Sequence, residues 1–183
     1  MTLLLRLDGV TLRRGGRLLF EELDLALGAG EALQVTGPNG SGKSSLIRLA
    51  AGLLQPDRGR VERAAVALAD DALALDEELP LNKALRFWGA AVDEAMAALG
   101  LSELADVPVR LLSAGQAKRA ALARASASGA PLWLLDEPAN ALDPAGMERL
   151  GALIRRHRDS GGAVVAASHV ELPGEWAKLE LGR

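Results

Sequence analysis

Apolar residues occur along this chain in short blocks, and the spacing inside each block changes from one block to the next. Residues 3–7 and 23–27 read as short strands, set off by glycine turns at Gly15-Gly16 and Gly28 to Gly30. Residues 32–36 form an apolar strand that runs into a glycine-rich loop. Beyond the loop, residues 44–54 carry Leu46, Ile47, Ala50, Leu53 and Leu54 at helical spacing, and Gln55-Pro56-Asp57 closes that helix. Residues 64–69 predict a further buried strand. Helices are predicted over 81–99 and 116–128, with Pro80 and Pro108 as breaks. The continuous apolar runs 132–136 and 163–167 predict two more strands, separated by a helix over 144–158. Strands alternating with helices predict an α/β fold with a mainly parallel sheet, preceded by a β-rich N-terminal portion.

Composition narrows this picture. The 183 residues are 49% hydrophobic and 25% charged, enough for one domain with a real core. The absence of cysteine excludes a disulfide scaffold, a thiolate metal site and a cysteine nucleophile. A net charge of −3 lacks the basic excess of a nucleic-acid binder, so no nucleic-acid partner is expected. No apolar run approaches the roughly 18 to 20 residues of a membrane span, which predicts a cytoplasmic chain.

Three segments carry chemistry. The first is GPNGSGKSS, residues 37–45, where Gly37, Gly42, Lys43 and Ser44 satisfy G-x-x-x-x-G-K-[ST]. The chain's own composition predicts roughly 0.003 chance matches to that pattern. The loop also follows a strand and opens a helix, as the mechanism requires. Gly37, Gly40 and Gly42 let the backbone close on phosphate oxygens, Lys43 adds a point charge, and the Ser44 hydroxyl is a magnesium ligand. A glycine-rich turn in a nonbinding α/β protein is the alternative. The second segment is LWLLDE, residues 132–137, a buried strand ending in Asp136 and Glu137. Burying a lone carboxylate is costly, and a magnesium partner for Asp136 explains it. Glu137 is then placed to accept a proton from attacking water; a pair of acids capping a helix N-terminus is the bland alternative. The third is LLSAGQAKRAALAR, residues 111–124, where Ser113 is a natural N-cap and Gly115 leaves room for a close ligand. By itself it is an ordinary helix start.

Together, GPNGSGKSS, LSAGQ, LLDEP, NALD and His169 stand in the order and spacing of ATP-binding-cassette (ABC) ATPases, which the chain resembles over nearly its whole length. The resemblance implies a P-loop fold with a catalytic core over 1–76 and 130–183 and an inserted α-helical signature subdomain over 77–129. It also implies that ATP and magnesium are the cofactors. ATP would be held by Gly37, Pro38, Asn39, Gly40, Ser41, Gly42, Lys43, Ser44 and Ser45, with Lys43 charging the β- and γ-phosphates. Ser44 and Asp136 would take magnesium, Glu137 would be the general base, and His169 would contact the γ-phosphate. Ser113, Gly115 and Gln116 of the signature, with Asp143 of the D-loop, would act across a nucleotide-sandwich homodimer.

RGGRLLF at 14–20, ELPLNKALRFWGA at 78–90, the alanine in LSAGQ and the tryptophan before the two acids are similar to one branch of that family, the ATPase of the cytochrome c maturation haem exporter. That likeness implies integral membrane permease partners, a peripheral place on the inner membrane, and haem handled by those partners. Two departures stand out. The family's Q-loop glutamine should fall near 69–72, where the chain has Ala69, Asp70, Asp71 and Ala72; Asp71 either reaches magnesium through water or belongs to a solvated acidic face. Counting 29 residues back from Lys43 gives Arg14 where an aromatic platform for adenine is common, and Arg14 either stacks on the base or is a surface arginine. A P-loop small-molecule kinase, or a non-transport cassette acting on nucleic acid or ribosomes, are the competing functions. The first leaves LSAGQ, NALD and His169 unexplained, and the second commonly carries two cassettes or a long insertion.

Overall fold

A computed structural model describes residues 2–182. Strands β1 (Leu3–Arg14) and β2 (Arg17–Gly28) form an antiparallel hairpin, and β4 (Arg58–Arg63) pairs with the other edge of β1. The second sheet is parallel throughout, in the order β5 (Val66–Ala69), β6 (Leu132–Asp136), β7 (Ala163–Ala167), β3 (Ala32–Thr36), β8 (Ala177–Glu180). Helix α1 (Lys43–Ala50) lies between the two sheets.

Alternation along the buried strands builds two cores from one sheet. Leu132 and Leu134 of β6, with Val165 of β7, face α1 and the antiparallel sheet, where Leu5, Leu7, Leu46 and Ile47 close the layer. Trp133 and Leu135, with Val164 and Ala166, face the other way. There they meet α2 (Leu81–Arg86), α3 (Val92–Ala98), α4 (Ala114–Ala127) and α5 (Pro144–Asp159). Because both faces of the parallel sheet are covered, its central strands read as unbroken apolar runs.

The strands expected over 3–7 and 23–27 extend to Leu3–Arg14 and Arg17–Gly28, and three further details depart from the sequence expectation. The helix predicted over 81–99 is two helices, interrupted after Arg86. At Gly89 the chain runs so close to α4 that a Cβ would lie 1.8 Å from the Ala127 carbonyl oxygen, which a continuous helix with side chains does not allow. The helix predicted to reach Leu54 ends at Ala50, and Gly52 turns the chain out at φ 77°. Finally, β4 and β8 have no apolar alternation to announce them: both are polar edge strands, with Val61 and Leu179 the half-buried apolar positions.

On α5, His157 stacks on Trp133 with ring centroids 3.8 Å apart and planes within 11°. Burial holds the imidazole below its ordinary pKa, so the fold favours the neutral ring. Stability from this site is therefore present above the ordinary histidine range, about pH 6.5, and lost as pH falls through the depressed value. His157→Phe keeps a stacking ring that does not titrate. Urea unfolding at pH 7.5 and 5.5 should show a smaller acid-side loss in the variant; equal losses in both proteins would exclude His157 as the source.

Candidate nucleotide site

The site forms where β3, β6 and β7, three adjacent parallel strands, reach their carboxyl ends, the usual place for a ligand in an open α/β sheet. β3 delivers the loop 37–42, which runs into α1. Gly37, Gly40 and Gly42 all adopt positive φ (139°, 79° and 106°), a region that disfavours other residues. Gly37 is doubly constrained, since a Cβ there would sit 2.3 Å from the Leu181 carbonyl oxygen. Lys43 is buried, and its Nζ donates to the carbonyls of Gly37 (2.8 Å) and Pro38 (3.2 Å), holding its charge across the loop. Pro38, Asn39 and Gly40 are exposed at the tip, Ser41 is buried beneath it, and Ser45 is half-buried on α1.

The first turn of α1 meets the end of β6. Ser44 Oγ donates to Asp136 Oδ1 at 3.1 Å. Asp136 is buried, and that burial raises its pKa above the ordinary carboxylate value; the nearby Asp71 and Glu137 push the same way, while the Ser44 bond and Arg48 oppose them. A hydroxyl and a carboxylate so placed fit a hard cation of the magnesium class, which takes one or two protein oxygens and completes its shell with phosphate and water. Among the described residues no group of three or more His, Cys, Asp or Glu converges, so a dedicated all-protein metal cage is not what the chain builds.

One residue further, Glu137 adopts φ 48°, which is uncommon for a side chain of its kind, and its amide is pinned to the Ala167 carbonyl at 2.8 Å. That conformation turns the carboxylate back over the end of β7, where Glu137 Oε2 meets His169 Nδ1 at 2.8 Å and the His169 amide at 3.4 Å. The two residues lie 32 positions apart in sequence, and the adjacency of β6 and β7 brings them together. A carboxylate paired with an imidazole, beside a phosphate loop and a cation-binding pair, can orient and deprotonate a water.

Ser113, Gly115 and Gln116 form a separate group at the start of α4. Ser113 and Gln116 make a reciprocal capping box, with the Ser113 amide donating to Gln116 Oε1 (2.8 Å) and the Gln116 amide to Ser113 Oγ (3.3 Å). Gly115 is small here because α4 abuts the loop after Glu137: a Cβ would lie 2.7 Å from the Ala141 carbonyl oxygen. Among the described residues these three make no hydrogen bond to the phosphate loop. Asp143 caps α5, accepting from the Gly146 amide at 2.7 Å. Asp71 is exposed and lies 3.7 Å from Lys118 Nζ, which itself donates to the Asp136 carbonyl at 3.3 Å. Lys118 is thus a neighbour of the site that no motif pointed to. Arg14 lies at the exposed end of the β1–β2 hairpin, paired in register with Arg17.

A protein-family profile described as ABC transporter matches residues 20–140. The "Cytochrome c biogenesis ATP-binding export protein CcmA" of Sphingopyxis alaskensis is 61% identical over 94% of this chain and 93% of its own length. The protein of the same name from Novosphingobium aromaticivorans is 58% identical over 89% of this chain and 87% of its own. Among solved structures, the ATP-binding subunit of an ABC transporter superposes with a TM-score of 0.83 at 22% identity, covering 91% of this chain and 80% of that one. A post-hydrolysis dimeric ATP-binding cassette bound to ADP and phosphate gives 0.79 at 24% identity, covering 91% and 88%. At those identities the structures show the fold, and the sequence relatives show the family.

Proposed function

We propose that this chain, which belongs to the ABC transporter family and within it to the cytochrome c biogenesis ATP-binding export proteins, hydrolyses MgATP to power an exporter that hands over haem for cytochrome c assembly. The observation that carries this reading is the convergence at one sheet end of the 37–45 loop, the Ser44–Asp136 pair and the Glu137–His169 pair. The loop and Lys43 hold the β- and γ-phosphates. Ser44 and Asp136 take magnesium, which offsets phosphate charge when bound. Glu137 accepts the proton of the attacking water, and His169 holds that carboxylate and reaches the γ-phosphate.

Among the described residues Ser113, Gly115, Gln116 and Asp143 make no hydrogen bond to the phosphate loop of their own chain, and a second copy placed face to face would bring them to its nucleotide. Two copies then sandwich two nucleotides. Residues 77–129 form the helical signature subdomain inserted into the core over 1–76 and 130–183. Among the described residues no helix is long and apolar enough to cross a membrane, so the step across the bilayer belongs to integral membrane permease subunits, with this chain peripheral on the cytoplasmic face of the inner membrane. Asp71, beside Lys118, stands where the coupling glutamine of similar cassettes is expected.

Detergent extraction followed by affinity capture of the tagged chain should bring down a multispan membrane protein of the cytochrome c maturation system, and the purified complex should release phosphate from ATP with no acceptor added. Phosphate transfer that requires a small-molecule acceptor would favour a kinase. Capture of ribosomes or nucleic acid in place of a membrane protein would overturn the transport assignment.

A further inference from the structure

Gly15 and Gly16, at φ 57° and 78°, close the β1–β2 hairpin in a two-residue turn, so Arg14 and Arg17 stand directly opposite one another. Cross-strand partners of this kind share a face of the sheet. The pairing then shifts: Arg13 opposes Leu18 but Leu12 opposes Phe20, leaving Leu19 as an extra residue in β2. Such a bulge re-aims the neighbouring side chains, and Leu19 and Phe20 both come down on the phosphate loop. Their nearest carbons lie 3.2 and 3.6 Å from where a Cβ on Gly42 would be. Arg17 precedes this bulge on the same strand. Its guanidinium reaches the tip of the loop, with Nη1 3.8 Å from the position of a Cβ on Gly40.

Arg17 is exposed, and among the described residues its side chain has no hydrogen-bond or ion-pair partner. On the same sheet Arg6 pairs with Asp8 and Arg60 with Glu62, while Arg14, like Arg17, has no such partner among the described residues. A free guanidinium beside a loop that holds phosphate is placed for a charge-assisted contact with a phosphate oxygen. We propose that Arg17 is a nucleotide-binding residue that closes over the phosphate chain of bound ATP from the outer side of the loop, opposite the buried Lys43. The 29-residue count from Lys43 points to Arg14 for the base; the arginine seen at the loop tip is Arg17, with Arg14 opposite it on β1.

This inference rests on the MgATP reading. Equilibrium binding of ATP and ADP to the purified chain, measured for wild type, Arg17→Ala and Arg17→Lys, separates the two. The loss of one charge-assisted hydrogen bond predicts about tenfold weaker ATP binding in Arg17→Ala, a deficit that shrinks as salt is raised, while Arg17→Lys keeps most of the affinity because the charge remains. Wild-type affinity in Arg17→Ala would overturn the assignment. So would an equal loss in both variants, which is the mark of a planar guanidinium stacked on the base. A wild-type chain with no affinity for either nucleotide would instead overturn the ATPase reading itself.

Discussion

Glu137→Gln should stop ATP turnover while leaving ATP binding intact, so that two copies remain closed around unhydrolysed nucleotide. The carboxylate is held by two constraints that the substitution does not touch: the left-handed backbone at φ 48°, and the amide bond to Ala167. Glutamine is nearly the same size and still offers an oxygen or an amide to His169 Nδ1, now 2.8 Å from the glutamate. What it lacks is basicity. General-base groups contribute about 10²- to 10⁴-fold to rate, so phosphate release should fall by at least about a hundredfold with ATP affinity unchanged. Size-exclusion chromatography with ATP should show the larger species in the variant only. His169→Ala keeps the base but frees it to rotate, and should lose less activity than Glu137→Gln. Wild-type turnover in Glu137→Gln would remove Glu137 from the chemistry.

The sequence carried the buried strands and the motif segments well because both leave local marks. Residues 132–135 and Ala163–Ala167 are unbroken apolar runs, as strands covered on both faces must be, and a phosphate loop needs its glycines at fixed spacing. Edge strands leave no such mark. RGRVER, the β4 strand, has a single half-buried apolar side chain and is held by its register with β1, a fact of tertiary structure. The break near Gly89 likewise reflects the approach of Ala127 from 38 residues away. At the site, what the sequence leaves out is pairing. Glu137 and His169 are each singled out by the motif they stand in, but their contact depends on β6 lying beside β7. Lys118 and Arg17 sit in segments that read as an ordinary helix and an ordinary strand. A count along the chain points to Arg14 for adenine, and no such count registers the β-bulge at Leu19 or the approach of Arg17 to Gly40. Gly115 shows the converse: room for a ligand was the sequence reason, while the structure shows a backbone approach to Ala141.

Asp136→Asn should separate stability from function with opposite signs. Burial is the main reason that the Asp136 carboxyl titrates above its ordinary value, and the charges of Asp71 and Glu137 add to it; the Ser44 bond only partly compensates. A folded-state pKa raised above the unfolded one means that the fold is favoured by this group below the ordinary carboxylate range, about pH 4, and that the advantage disappears as pH rises through the shifted value. Above that shifted value the nucleotide-free protein therefore carries an ionised carboxylate it would be more stable without. Asparagine has nearly the same shape, still accepts from Ser44 Oγ, and cannot ionise. Its melting temperature at pH 7.5 without nucleotide should exceed that of wild type, with the gap closing as pH falls toward about 4. Adding MgATP should reverse the order, since a ligand stabilises the protein that binds it and the amide is a poor partner for the cation. Turnover should fall at least about a hundredfold. A variant that melts below wild type in the absence of nucleotide at pH 7.5 would show that the carboxylate contributes net stability to the fold, and the costly acid at the end of β6 would then need a structural explanation in place of a catalytic one.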